Sequence, residues 1–172
     1  MTNKKRPLKV VLTGGPCCGK STTINELKKR GYSILEEVAR EILQEERYKE
    51  NKDYELFQEE IFKRQVEKES KIVDLTFLDR STIDGIAYSL LYLKYIPFNV
   101  NSYDLRNRYS KIFFLDRFPL QKDGIRVEGD EREAQKVHEK IREAYLIMGY
   151  SLTKVPIMPI EERTDYILEK IK

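Results

Sequence analysis

The chain has 172 residues, 40% hydrophobic and 35% charged, a composition that fits one globular domain and excludes a disordered one. Its 32 basic and 29 acidic side chains leave a formal charge of only +3, too small an excess to point to nucleic acid. No apolar run approaches the roughly 20 residues that span a bilayer, no secretory leader is visible, and the two cysteines are adjacent. Neither a membrane span nor a disulfide scaffold is expected, and the cytoplasm is the expected compartment.

Residues 1–7 read as a basic tail, with NKKR at 3–6 as a solvated charge run. Residues 8–13 (LKVVLT) are rich in β-branched side chains and predict a buried parallel strand. A helical pattern follows over 19–30, with Ile24 and Leu27 on one face. Lys28, Lys29 and Arg30 crowd its last turn, and Gly31 stops it. Residues 32–35 (YSIL) predict a second strand, and Val38 and Ile42 resume a helical period. Asn51 or Asp53 then caps a long helix bearing Tyr54, Phe57, Ile61 and Val66.

Residues 75–79 (LTFLD) predict the third strand, and Ser81 or Thr82 caps a helix with Ile83, Ile86, Ala87 and Leu90 that ends by Pro97. Residues 111–116 (KIFFLD) predict the fourth strand. A polar loop to Gly129 precedes a helix with Val137, Ile141, Tyr145 and Met148 on one face, stopped by Gly149. Residues 152–156 (LTKVP) predict the fifth strand and 160–171 the closing helix. Strands alternating with helices predict one α/β domain over 8–172, a parallel sheet covered on both faces in three layers.

The first strand runs into VVLTGGPCCGKSTT. Gly14, four residues, then Gly19, Lys20 and Ser21 fit G-x-x-x-x-G-K-[ST], a phosphate-binding loop. Strand, glycine loop and helix stand in the order phosphate binding requires. Glycines let the backbone approach oxygen atoms, successive amides form an anion nest, and the helix points its positive end at the same place. Lys20 adds a full charge, worth up to about 4 kcal/mol at about 4 Å with an effective dielectric near 20. Gly14, Gly15, Pro16, Cys17, Cys18, Gly19, Lys20, Ser21 and Thr22 form the candidate nucleoside-triphosphate cradle, with the Ser21 hydroxyl for Mg²⁺ and Thr22 for a further phosphate oxygen. A plain strand–turn–helix with a chance lysine does not explain the agreement of residue types, spacing and flanks. Cys17 and Cys18 read as small polarizable fillers, with a redox switch as the alternative.

In open α/β sheets ligands gather beyond the carboxyl ends of the strands. After the second predicted strand come Glu36, Glu37 and Arg40. Glu37 and Arg40 are candidates for the acceptor's hydroxyls and charge, with an internal i,i+3 salt bridge as the plain alternative, and Glu36 is the weaker acid. After the third come Asp79, placed to organise Mg²⁺ or accept a proton or else to cap a helix, and Arg80, for an anionic acceptor group or a surface pair. After the fourth, a lid over about 117–132 carries Arg117, Lys122, Arg126 and Arg132. Arg126 is the first choice for the cation that closes over the transferring phosphoryl group. His138 reads as surface or boundary filler, Tyr88 as core packing beside a possible acceptor pocket, and residues 156–159 as the place for a nucleobase.

With TGGPCCGKST, EEVAREI, FLDRS…DGIAY, KDGIRVE and VPIMPIEERTDYIL assembled, the chain resembles the P-loop kinase-like AAA domain family that includes the nicotinamide riboside kinase domain (NadR-like). Through DRS and the lid it is more distantly similar to the thymidylate kinases. The resemblance spans about residues 8–171. It implies a five-stranded parallel sheet in the order 2-3-1-4-5, with ATP and Mg²⁺. It also implies that Lys20, Ser21, Asp79 and the lid arginines hold phosphates and metal. It carries no particular acceptor.

The expected function is phosphoryl transfer from ATP to a small nucleoside or nucleotide, with Lys20, Asp79 and Arg126 as catalytic candidates. The alternative is a nucleotide-dependent regulatory module in signalling or trafficking that binds and hydrolyses ATP or GTP. The guanine signature N/T-K-x-D is not met: NKDY at 51–54 puts Tyr54 at its last position and precedes the third strand, and TKVP at 153–156 ends in Pro156. GTP stays open by another route.

Overall fold

The computed structural model describes residues 8–46, 48, 53–100, 105–119 and 130–171. The tail at 1–7, the Asn51 cap and most of the expected lid, with Lys122 and Arg126, lie outside the described residues.

Five runs of β-branched, leucine and aromatic residues form β1 (Lys9–Thr13), β2 (Ser33–Leu35), β3 (Thr76–Asp79), β4 (Lys111–Leu115) and β5 (Leu152–Val155). All pairings are parallel, and the order is β2-β3-β1-β4-β5, the order the resemblance implied. β1 is central, with Val11 opposite Leu78 on one side and Ile112 on the other. The two-residue period then sorts side chains between two cores. Val11, Leu78, Ile112 and Phe114 join Ile83, Ile141 and Tyr145 on one face. Val10, Leu12, Phe77, Phe113 and Leu115 join Ile24, Leu27 and Ile167 on the other. The middles of β1, β3 and β4 are apolar because both faces are covered.

Among the described residues the layers are completed by α1 (Lys20–Lys29), α2 (Val38–Leu43), α3 (Tyr54–Ser70), α4 (Thr82–Tyr92), α5 (Glu131–Ile147) and α6 (Ile160–Glu169). Asp53 caps α3 through the amides of Glu55 and Leu56. Ser81 caps α4 in a reciprocal box with Asp84. At the end of α1, Gly31 takes φ 86°, and the amides of Gly31 and Tyr32 bond back to Lys28 and Leu27. Gly149 ends α5 in the same way, at φ 85°, through Leu146 and Tyr145. The edge strands β2 and β5 and the closing helix are each shorter than the sequence pattern suggests, as fraying edges are. Arg132 belongs to the first turn of α5 rather than to a lid. Among the described residues no helix is long and apolar enough to cross a membrane.

One buried polar knot fixes the start of α4 to the sheet. Asp84 accepts from Thr13 Oγ1 at 2.5 Å, from Tyr145 Oη at 2.6 Å and from the Ser81 amide at 2.9 Å. Tyr145 also shares a hydrogen bond with Ser81 Oγ at 2.6 Å. Tyr145→Phe leaves a buried carboxylate and a buried hydroxyl each short of one partner. It is expected to cost about 1–3 kcal/mol in urea unfolding, and an unchanged midpoint would contradict this role.

Candidate active site

The three glycines of the loop between β1 and α1 stand where its neighbours come close. A Cβ on Gly14, at φ 143°, would lie 2.9 Å from the Leu115 carbonyl oxygen. One on Gly15 would lie 2.8 Å from His138 Cβ, and one on Gly19, at φ 74°, 2.4 Å from Arg163 Nη1. Cys17 holds the left-handed conformation at φ 58° without being glycine, a strain of about 1–2 kcal/mol. The Cys17 carbonyl accepts the Phe118 amide at 2.8 Å. Helix α1 starts with neither a side-chain cap nor an acidic residue in its first turn. Its leading amides and positive dipole end therefore suit an external anion.

Lys20 is buried and arches back over the loop, donating to the carbonyls of Gly14 at 3.0 Å and Gly15 at 3.1 Å and to Cys18 Sγ at 3.3 Å. Cys18 packs in the core with Leu12, Ile24 and Val155, as a small filler does. Pro16 is buried, and Thr22 is exposed on the first turn of α1.

The residues after β2 and β3 converge on this loop. Glu37 accepts from Arg80 Nε at 2.9 Å and pairs with Arg40 Nε at 2.8 Å. Arg40 Nη2 in turn donates to Ser21 Oγ at 2.9 Å. The i,i+3 pair is thus present, and it is also one link in a chain from Arg80 to Ser21. Arg80 holds φ 70° and reaches the Gly14 carbonyl and Asp84 Oδ1, each at 3.4 Å. Burial alone would raise the Glu37 pKa, but Arg80, Lys20 and Arg40 outweigh it and hold this carboxyl below the usual range. Glu36 points elsewhere and pairs with Lys28 in solvent at 2.5 Å.

Asp79 does not cap α4, since Ser81 does. It lies at the end of β3, 5% exposed, and its Oδ1 has no hydrogen-bond partner among the described residues. Burial pushes its pKa up, Lys20 opposes, and Glu37 reinforces. Among the described residues no group of three or more His, Cys, Asp or Glu side chains could hold a metal. Mg²⁺ does not need one: it is commonly bound by one or two carboxylates plus substrate phosphates and water. An orphaned carboxylate oxygen at the phosphate loop fits that donor set.

Arg117 departs from its expected lid role. Its Nε donates to the Pro16 carbonyl at 3.0 Å, and its Nη atoms to Glu131 at 2.8 and 3.2 Å and Gln135 at 3.1 Å. It ties the loop to α5. Two further side chains on the loop escaped the sequence reading. Arg163, 3% exposed, donates to the Cys18 carbonyl at 3.3 Å and lies over the Phe118 ring. His138, 8% exposed, accepts the Gly15 amide at Nδ1, 3.0 Å away, so it is not surface or boundary filler. Burial lowers its pKa to about 4, assisted by Arg117, Lys20 and Arg142 and opposed by Asp116. Both lay on legible apolar stripes. Ile160, Arg163, Thr164 and Ile167 share one face of α6, and Ala134, Val137, His138 and Ile141 one face of α5.

Beside Glu37 and Arg80 opens a cavity of about 830 Å³. Tyr54, Phe57, Ile61, Tyr88 and Tyr92 supply its walls, and Asp84, Asp130 and Glu133 add carboxylates. Tyr88, expected mainly as core, packs against the core and also lines this space beneath the Arg80 guanidinium. Gln58, 3% exposed, lines it too, and its Oε1 has no partner among the described residues. Residues 156–159 leave the end of β5 without regular structure, and Pro159 precedes α6.

The raised Asp79 pKa means that the folded chain holds this proton more tightly than the unfolded one. Stability therefore falls as pH rises from the unfolded carboxyl pKa through the folded one, and the ionised group burdens the fold at neutral pH. Asp79→Asn is expected to raise the thermal midpoint at about pH 7 and to lose that gain near about pH 3. A lower midpoint at neutral pH would contradict the assignment.

No curated protein matches the chain in sequence. Solved structures share the fold. The deoxyadenosine kinase of M. mycoides, with dCMP and dCDP bound, superposes with a TM-score of 0.64 at 17% identity, over 95% of this chain and 98% of that one. NadR in complex with NR gives 0.72 at 18% identity, over 98% of this chain and 51% of NadR. Thymidylate kinase from Candida albicans gives 0.56 at 19%, over 96% and 91%. Likeness at these identities is one of fold. In sequence, residues 9–163 match the AAA domain family (AAA_28), a span from the first strand into the last helix, and the chain belongs to that family.

Proposed function

We propose that the protein is a small-molecule kinase that moves the γ-phosphoryl group of ATP to a hydroxyl of a nucleoside-like acceptor. The observation that carries this reading is the aromatic cavity lined by Glu37 and Arg80, since Arg80 also reaches the Gly14 carbonyl of the phosphate loop. A nucleotide switch needs a triphosphate site and a surface. A transferase needs a second, concave site within reach of the first. The solved structures of similar fold include enzymes named as deoxyadenosine, thymidylate and shikimate kinases, which supports the class.

In this reading the amides of the loop and α1, with Lys20, bind the triphosphate. Ser21 and Asp79 would hold Mg²⁺, which when bound offsets charge on the phosphates. Asp79 would take the acceptor's proton, and Glu37, which lines the cavity, would bind the acceptor's hydroxyls. Arg40 and Arg80 orient Glu37, and Arg126, with Lys122, supplies lid charge. The aromatic walls suit a planar base, and the Gln58 Oε1, without a partner among the described residues, suits an N–H on its edge. Among the described lining residues Glu37, Asp84, Asp130 and Glu133 stand against one arginine, Arg80, already paired with Glu37. That balance favours an acceptor without a phosphate of its own.

Three outcomes are expected. With [γ-³²P]ATP, a panel of nucleosides yields a labelled product while the matching monophosphates do not; a panel with no labelled acceptor would overturn the kinase reading. Gln58→Leu raises the acceptor KM about tenfold and leaves ATP affinity unchanged. Lys20→Ala abolishes tight ATP binding by calorimetry, and wild-type affinity in that variant would contradict the cradle.

A further inference from the structure

We propose that His138 is a positioning residue of the triphosphate site: carried on α5, its imidazole fixes the Gly15 amide and with it the shape of the phosphate loop. This rests on the reading of that loop as the triphosphate site.

The contact is specific in both partners. Gly15 donates its amide to His138 Nδ1 at 3.0 Å. The missing Cβ permits the approach, since one built there would lie 2.8, 3.0 and 3.2 Å from His138 Cβ, Cα and N. The far side of the ring is fixed as well, with the Phe114 ring centroid 4.4 Å away. An accepting Nδ1 requires a neutral ring with its proton on Nε2. Protonation would set one N–H against another.

A second tie runs beside the first. Arg117 holds the Pro16 carbonyl and is itself held by Glu131 and Gln135 of α5. Two consecutive loop residues, 15 and 16, are therefore gripped from one helix, one through its N–H and one through its C=O. Because the Gly15 amide is spent on His138, the polyanion is left to the amides after Pro16.

His138 is the single histidine of the chain, which makes the test clean. Binding of a non-hydrolysable ATP analogue with Mg²⁺ is measured by calorimetry for the wild type, His138→Leu and His138→Asn. Leucine fills the seat without an acceptor; asparagine offers an oxygen near the place of Nδ1. The proposal expects affinity to fall about tenfold with leucine and to be largely rescued with asparagine. Long-range ¹H–¹⁵N spectra of the wild type should show the Nε2–H tautomer at neutral pH, with the Nδ1 resonance moving when the analogue is added. This readout stands even if the leucine variant does not fold. A leucine variant that binds like the wild type, or an Nδ1–H tautomer, overturns the assignment while leaving the loop reading intact. A wild type that does not bind the analogue overturns both.

Discussion

The structure depends on a close-packed loop between β1 and α1 in which three of the six residues 14–19 are glycine. Three glycines there face three different neighbours: the Leu115 carbonyl, the backbone of α5 at His138 and the Arg163 guanidinium. At Gly14 and Gly15 the contact is too close for a Cβ, and Gly19 holds the left-handed φ of 74°. The loop is therefore fixed from outside, by β4, α5 and α6, and its own amides need not be spent on internal packing. Pre-set amides of this kind stabilise phosphate charge without having to reorganise.

Around that loop the chain assembles charge in a fixed order. Ser21, Arg40, Glu37 and Arg80 form a continuous relay of polar contacts, and Arg80 touches both the Gly14 carbonyl and Asp84. Asp79, by contrast, has an oxygen without a partner among the described residues, in a buried place. Most of these groups satisfy one another, whereas the Asp79 oxygen stands apart from the network. The cost of burying Asp79 is of the kind that functional sites carry and stable cores avoid.

Much of the fold was legible from the sequence. Five short apolar runs, two glycine stops and the helix stripes correspond to the observed elements, because buried parallel strands and capped helices leave strong local signals. Pattern could not order the strands; the order came from resemblance, and the structure has it. The candidate site was legible where strand ends and loop spacing mark it, at Lys20, Ser21, Glu37, Arg40, Asp79 and Arg80. What could not be read were pairings across the fold. Nothing local says that Arg117 turns back to Pro16, or that Gln58 faces a cavity. His138 and Arg163 could have been noticed, since each interrupts an apolar stripe with a polar side chain that must find a partner.

The central claim is that a triphosphate lies on the amides between β1 and α1, with the acceptor cavity open beside its γ-phosphate. A crystal structure with a non-hydrolysable ATP analogue tests this most directly. The account predicts phosphates against the loop and Lys20, and the terminal phosphate facing Glu37 and Arg80. A triphosphate bound elsewhere on the molecule, or one whose terminal phosphate is walled off from the aromatic cavity, would contradict it.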